Sequence, residues 1–158
     1  MEKIRFKKIT VADICPTILT GRHIVNEKGW KCIEPIVATI APTGSRIFDA
    51  IAQALAKDSS ITVFELANAL GTNTTDLNAF FRLLTGLDTR EFLKQYRLTR
   101  ACEWLANTDL KLIEIARRSG FPSASYMTHL FVQELKCTPN EYRKQHRPKN
   151  FRDLYTWD

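Results

Sequence analysis

The chain has 158 residues, of which 44% are hydrophobic and 25% charged, with a net charge of +6 and a pI near 9.3; this is one ordinary domain with room for a flanking segment, and it excludes a disordered or fibrous polymer. No apolar run reaches the roughly 18 to 20 residues that a membrane-spanning helix needs, and the opening MEKIRFKKITVAD carries charges where a secretion signal is apolar, so a cytoplasmic protein without membrane contact is expected. The basic excess is three charges in residues 1–45, two in 46–146 and one in 147–158, which permits an anionic partner without marking where it sits. Cys15, Cys32, Cys102 and Cys137 form no C-x-x-C pair, so neither a zinc knuckle nor a dithiol redox motif is indicated and all four read as free thiols.

Residues 1–45 carry two stretches of β-type composition, Ile4 to Val11 and Cys32 to Ile40, punctuated by Pro16, Gly21, Gly29, Pro35 and Pro42. They are expected to be an N-terminal arm or leader, used for contact with a partner or a second copy, or else without order. From Arg46 to Lys57 the apolar residues Ile47, Phe48, Ile51 and Leu55 fall on one stripe of a helix, which is expected to close the core that follows without help from upstream.

An internal repeat then organises the chain. Glu65-Leu66-Ala67 with Gly71 recurs as Glu114-Ile115-Ala116 with Gly120 at an offset of 49, and Leu77, Phe80 and Phe81 recur as Met127, Leu130 and Phe131 at an offset of 50. Each copy reads as a short helix, a glycine turn, a longer helix and the capped start of another. Thr62 and Glu65 form a capping box, with Phe64, Ala67 and Leu70 expected on the inner face; Lys111 stands where the second copy needs a threonine, so that box is incomplete. In the longer helices the apolar stripe Leu77, Phe80, Phe81, Leu84 leaves Thr75, Asn78, Ala79 and Arg82 outward, and its counterpart leaves Ser125, Thr128, His129 and Val132 outward. Thr89 to Asn107 reads as one continuous helix, about 28 Å long at about 1.5 Å per residue, close to the roughly 34 Å between successive major-groove faces of B-DNA.

The combination Glu114-Ile115-Ala116-x-x-x-Gly120-Phe121-x-Ser123-x-Ser125-Tyr126, then Phe131, then Thr138-Pro139-x-Glu141-Tyr142-Arg143, with Arg97-Leu98-x-Arg100-Ala101 upstream, resembles the DNA-binding domain of the AraC/XylS family of transcription regulators. The resemblance covers about a hundred residues. It implies an all-α fold in which two helix-turn-helix subdomains are joined by a long helix over residues 46–146, with a C-terminal tail at 147–158. It also implies sequence-specific binding of double-stranded DNA, with Thr75, Asn78 and Ala79, then Ser125, Thr128 and His129, at base edges, and Arg82 suited to a phosphate. RNA polymerase is a further candidate partner, no cofactor or metal is implied, and a monomer or a weak dimer through residues 1–45 is expected.

The sequence departs from the family pattern at Ala79 and His129, where arginine is common, at Val132-Gln133, where two lysines are frequent, and at Lys136, which replaces a helix-ending glycine. Asp76 also sets a negative charge on a helix meant to approach phosphate. These departures keep a rival open, a degenerate helix-turn-helix module acting as a protein-interaction adaptor. Residues 1–45 are too short for the barrel-type sensor domain many members carry. No nucleophile elbow, phosphate-cradling glycine loop, H-E-x-x-H or matched carboxylate pair is present, so an enzyme is not expected.

Overall fold

A computed structural model describes residues 7–15, 20–25, 27–29, 31–35, 40–151 and 156–157. Among these, helix α1 spans Val11–Ile14, strands β1 and β2 span Thr20–Val25 and Lys31–Pro35, and α2 spans Arg46–Lys57. There follow α3 (Val63–Ala69), α4 (Thr74–Thr85), α5 (Thr89–Asn107), α6 (Leu112–Arg118), α7 (Ala124–Leu135) and α8 (Pro139–His146), then the two-residue strand β3 (Thr156–Trp157). The helices carry the domain. The sheet is a small appendage ordered β2-β1-β3, with β1 antiparallel to β2 and parallel to β3.

Six of the eight helices described start at a side-chain cap legible in the sequence. The side chains of Ser45, Thr62, Asn73, Asp88, Ser123 and Thr138 all accept a backbone N–H from the first turn they precede, satisfying donors that a helix N-terminus otherwise leaves unpaired. Thr62 with Glu65, and Thr138 with Glu141, complete capping boxes. Lys111 makes no such bond. Helix ends are equally local: Gly86 closes α4 at φ 80°, while Lys136, at the equivalent place after α7, adopts φ 58° although it is not a glycine.

Two apolar cores lie along α5. The first gathers Phe48, Ile51 and Leu55 of α2, Leu66 and Ala67 of α3, Leu77 and Phe81 of α4, and Phe92, Leu93 and Tyr96 from the N-terminal half of α5. Phe48, Phe81 and Phe92 meet with ring centroids 5.1 to 5.7 Å apart at tilted and edge-on angles, the arrangement that aromatic quadrupoles favour. The second core gathers Leu98, Ala101, Trp104 and Leu105 of α5 with Ile115, Ala116, Phe121, Met127, Leu130 and Phe131. One helix thus supplies a wall to both units, and its length sets the distance between them.

Three expectations are corrected here. Phe64 is 66% exposed: the stripe that meets the core is Val63, Leu66, Ala67 and Leu70, which keeps the expected Ala67 and Leu70 and puts Val63 and Leu66 inward in place of Phe64. Ile47 is 50% exposed, because Phe48, Ile51, Ala52 and Leu55 form the inward stripe of α2 and Ile47 lies outside it. The upstream segment is also not idle: Ile9 and Ile14 are buried in the first core, Val11, Cys15 and Ile40 pack against it, and the Ile9 N–H donates to the Leu84 carbonyl at 2.9 Å. Of the two stretches expected as strands, the first holds part of α1 and the second overlaps β2 at Cys32–Pro35, the remainder of each up to Phe6 and over 36–39 lying outside the described residues.

The loops that open each unit are held by half-buried arginines. Arg97 donates from Nε to the Ser59 carbonyl at 2.9 Å and from Nη2 to the Ile61 carbonyl at 2.8 Å. Its repeat partner Arg147 donates to the equivalent carbonyl of Thr108 and to Asp109, and Arg143 donates to the carbonyls of Leu105 and Leu110. Each arginine ties the loop preceding a helix-turn-helix to the helix that follows it. Burial lowers the pKa of Arg97 from its ordinary value, and its fork of donors satisfies carbonyls that would otherwise be costly to bury.

Candidate nucleic-acid interface

The solvent faces of α4 and α7 repeat one another. Thr75, Asp76, Ala79, Arg82 and Leu83 are exposed on α4, and Ser125, Tyr126, His129, Val132 and Gln133 are exposed at the equivalent positions of α7, the i, i+1, i+4, i+7, i+8 pattern of a single helix face. Five of the seven expected site residues, Thr75, Ala79, Arg82, Ser125 and His129, therefore stand on these faces. Asn73 and Ser123 set the orientation by capping the two helices, and Leu77 with Phe81, and Met127 with Phe131, anchor the opposite sides in the cores.

Asn78 and Thr128 flank the faces, half-buried and already engaged. The Asn78 Oδ1 accepts the backbone N–H of Thr89 at 3.0 Å, which joins α4 to the first turn of α5. Thr89 is fully buried, so its N–H, one of the four that α5 cannot satisfy internally, needs this partner. In the second unit the equivalent of Thr89 is Pro139, buried and without an N–H, and the equivalent of Asn78 is Thr128, whose hydroxyl donates instead to the Ala124 carbonyl at 2.9 Å. The two copies meet the same buried position by different means, a side-chain acceptor in one and a missing donor in the other.

The outward-face assignment omits Asp76, Leu83, Tyr126 and Gln133, of which Tyr126 adds an aromatic ring with a hydroxyl to the face of α7. Tyr126 is 50% exposed in the first turn of α7, its ring centroid 6.3 Å from that of Phe121. The signal for it lies in the cap: with Ser123 as N-cap, Ser125 and Tyr126 are adjacent members of the exposed stripe. The exposed carboxylate of Asp76 is engaged at the helix start, its Oδ2 accepting from the Asn73 side-chain amide at 2.8 Å.

The neighbouring charges are partly spoken for. Arg117 and Arg118 both bond Glu114, at 2.6 and 2.7 Å, and hold its carboxyl below the usual range, Arg117 being the larger influence. The Arg118 guanidinium also lies 5.2 Å from the Trp104 ring centroid. Lys94 of α5 bridges Glu91 at 2.8 Å and Glu134 of α7 at 3.0 Å, tying α7 to α5. Between the units runs an open cleft of about 860 Å³, lined on one wall by Val63 and Phe64 and on the other by Phe121, Pro122 and Tyr126. Among the described residues no helix is long and apolar enough to cross a membrane, and no three His, Cys, Asp or Glu side chains cluster to hold a metal ion.

The comparisons with known proteins fall on the same residues. A family model described as a helix-turn-helix domain matches residues 66–145. The transcriptional activator NphR of a Rhodococcus species is 33% identical over 89 residues, 56% of this chain and 26% of that protein. The activator RhaR of Yersinia pseudotuberculosis is 32% identical over 111 residues, 68% of this chain and 38% of that protein, so the chain spans well under half the length of these curated relatives. Among solved structures, the DNA-binding domain of AdpA, a global transcriptional factor, in complex with a target DNA, superposes with a TM-score of 0.59 at 27% identity, covering 66% of this chain and 95% of that one.

Proposed function

The chain belongs to the AraC-type helix-turn-helix family, and from that premise we propose that it is a transcription regulator whose helices α4 and α7 enter successive major grooves of one DNA duplex. The observation that carries this reading is the residue-for-residue repetition of an exposed face on two helices fixed by a shared 19-residue connector. Helices of this width fit the major groove, where each base pair presents its own donor and acceptor pattern. Thr75, Ser125 and Tyr126 offer hydroxyls for base edges or phosphate, the Ala79 methyl suits a thymine methyl, His129 offers a ring nitrogen, and Arg82, one to two turns further along, suits a phosphate oxygen. Asn78 and Thr128 serve the interface by position, setting the helices rather than reaching out from them.

The relatives are transcription regulators, and non-enzymatic action in the cytoplasm is the corresponding proposal for this chain. RNA polymerase contact and weak dimerisation through residues 1–45 belong to the same proposal; the boundaries at 45/46 and 146/147 do too. The adaptor reading gains from Leu83, Val132 and Phe64, which expose apolar surface near the faces. Titration of duplex DNA at several salt concentrations separates the two. Regulator binding weakens steeply with salt, log K falling with log salt by about 0.9 per phosphate contacted. An absence of duplex binding even at low salt favours the adaptor.

A further inference from the structure

Gly71 and Gly120 occupy the same turn in the two repeats, both at positive φ, 68° and 82°. Only their surroundings differ. A Cβ on Gly71 would meet nothing within 4 Å, whereas a Cβ on Gly120 would lie 2.1 Å from the carbonyl oxygen of Ser59, 2.3 Å from its carbon and 2.7 Å from the Ser60 nitrogen. The second unit's turn is therefore seated directly on the backbone of the loop between α2 and α3 in the first unit. That loop cannot yield easily: Arg97 holds the carbonyls of Ser59 and Ile61, the Ser59 hydroxyl donates to Leu55, and the backbone N–H and hydroxyl of Ser60 donate to Asp58. Resting on the proposed DNA reading, we infer that the seat of Gly120 on Ser59 fixes the angle between the two helix-turn-helix units, and that Gly120 is thereby the residue that sets the spacing of the half-sites the protein accepts.

The shared helix α5 sets the distance between the units but leaves a rotation about its own axis to be resisted by side contacts. The Lys94–Glu134 pair is one such contact, and a partly exposed ion pair is a weak restraint. Backbone seated on backbone is a stiff one, because neither side has a rotamer to change. DNA makes the consequence measurable: each inserted base pair turns one half-site by about 34 to 36° relative to the other, since a turn takes about 10 to 10.5 base pairs. A rigid protein can follow such a turn only by bending or twisting the duplex.

The test compares the full chain with Gly120→Asn, Gly71→Asn and Arg97→Met. Asparagine tolerates positive φ, so the two glycine variants differ in the clash alone, and Arg97→Met loosens the loop from its other side while keeping an apolar stem. Affinity is measured on duplexes carrying the selected site with zero, one or two base pairs inserted or removed between its halves. The wild type and Gly71→Asn should lose about tenfold or more per displaced base pair, the scale of a single mismatch. Gly120→Asn should flatten or shift this profile while base preference within each half-site persists, and Arg97→Met should move in the same direction. A Gly120→Asn profile superimposable on wild type overturns the inference, and if that variant does not fold, an unchanged Arg97→Met profile does so. Electron–electron distance measurement in the absence of DNA, with nitroxides on noncanonical residues at positions 82 and 132, keeps this independent of DNA binding. A narrow distribution in wild type that broadens or shifts in Gly120→Asn retains the seat even if no duplex binds and the DNA reading falls; identical distributions remove the seat whatever the DNA result.

Discussion

At the scale of single residues, the half-buried Asn78 separates two kinds of contribution to binding. Its acceptor completes the buried N–H of Thr89, so Asn78→Ala should leave a donor unsatisfied and lower stability by about 1 to 3 kcal/mol. Asn78→Asp retains an acceptor and should lose less, as denaturant titration of the two variants can establish. Equal losses in both, or none in either, would return Asn78 to the set of base-reading candidates. Helical periodicity places Asn78 on the outward face, yet periodicity knows nothing of an N–H eleven residues further on. The available clue was the pairing of Asn78 with Thr89 in one repeat against Thr128 with Pro139 in the other. The outward turn of Phe64 on α3 has a similar cause. Thr62 was legible as a cap, and counting from it puts Val63, not Phe64, against the core.

At the scale of elements, caps such as Thr62 with Glu65 were legible because cap and partner lie three residues apart, and the repeat because one pattern with a glycine at its turn recurs at an offset of 49 to 50. The close of α7 was legible as an anomaly, since Lys136 stands where α4 has Gly86, and the structure gives it φ 58°. A side chain in the left-handed region costs roughly 1 to 2 kcal/mol, partly offset here by a bond from the Lys136 Nζ to the Gln133 carbonyl at 2.8 Å. Lys136→Gly should therefore raise stability by about 1 kcal/mol, visible as a higher Tm of the full chain. A lower Tm would mean that the lysine's bond and the stiffer unfolded chain outweigh the strain. Helix α1 shows where legibility ended. Four residues carry no periodicity, so nothing local announces that Ile14 is buried against α5's side of the first core.

At the scale of the whole molecule, the burial of Ile9 and Ile14 makes the upstream segment part of what holds the first unit together. Ile14→Ala should cost about 2 to 5 kcal/mol, a large share of the roughly 5 to 15 kcal/mol that keeps a domain folded. A fragment of residues 43–148 should accordingly unfold at lower temperature than one of residues 7–151, and equal Tm values would show that the first core closes on α2 to α5 alone. The two cores, the shared α5 and the seat of Gly120 make the pair of recognition helices one object, so the central claim is that they read DNA as a pair. Selection of bound sequences from a random duplex library by the full chain tests this most directly. The account predicts an enriched bipartite motif with half-sites about one helical turn, roughly 10 base pairs, apart; no enrichment, or a single half-site without a partner at fixed distance, would contradict it.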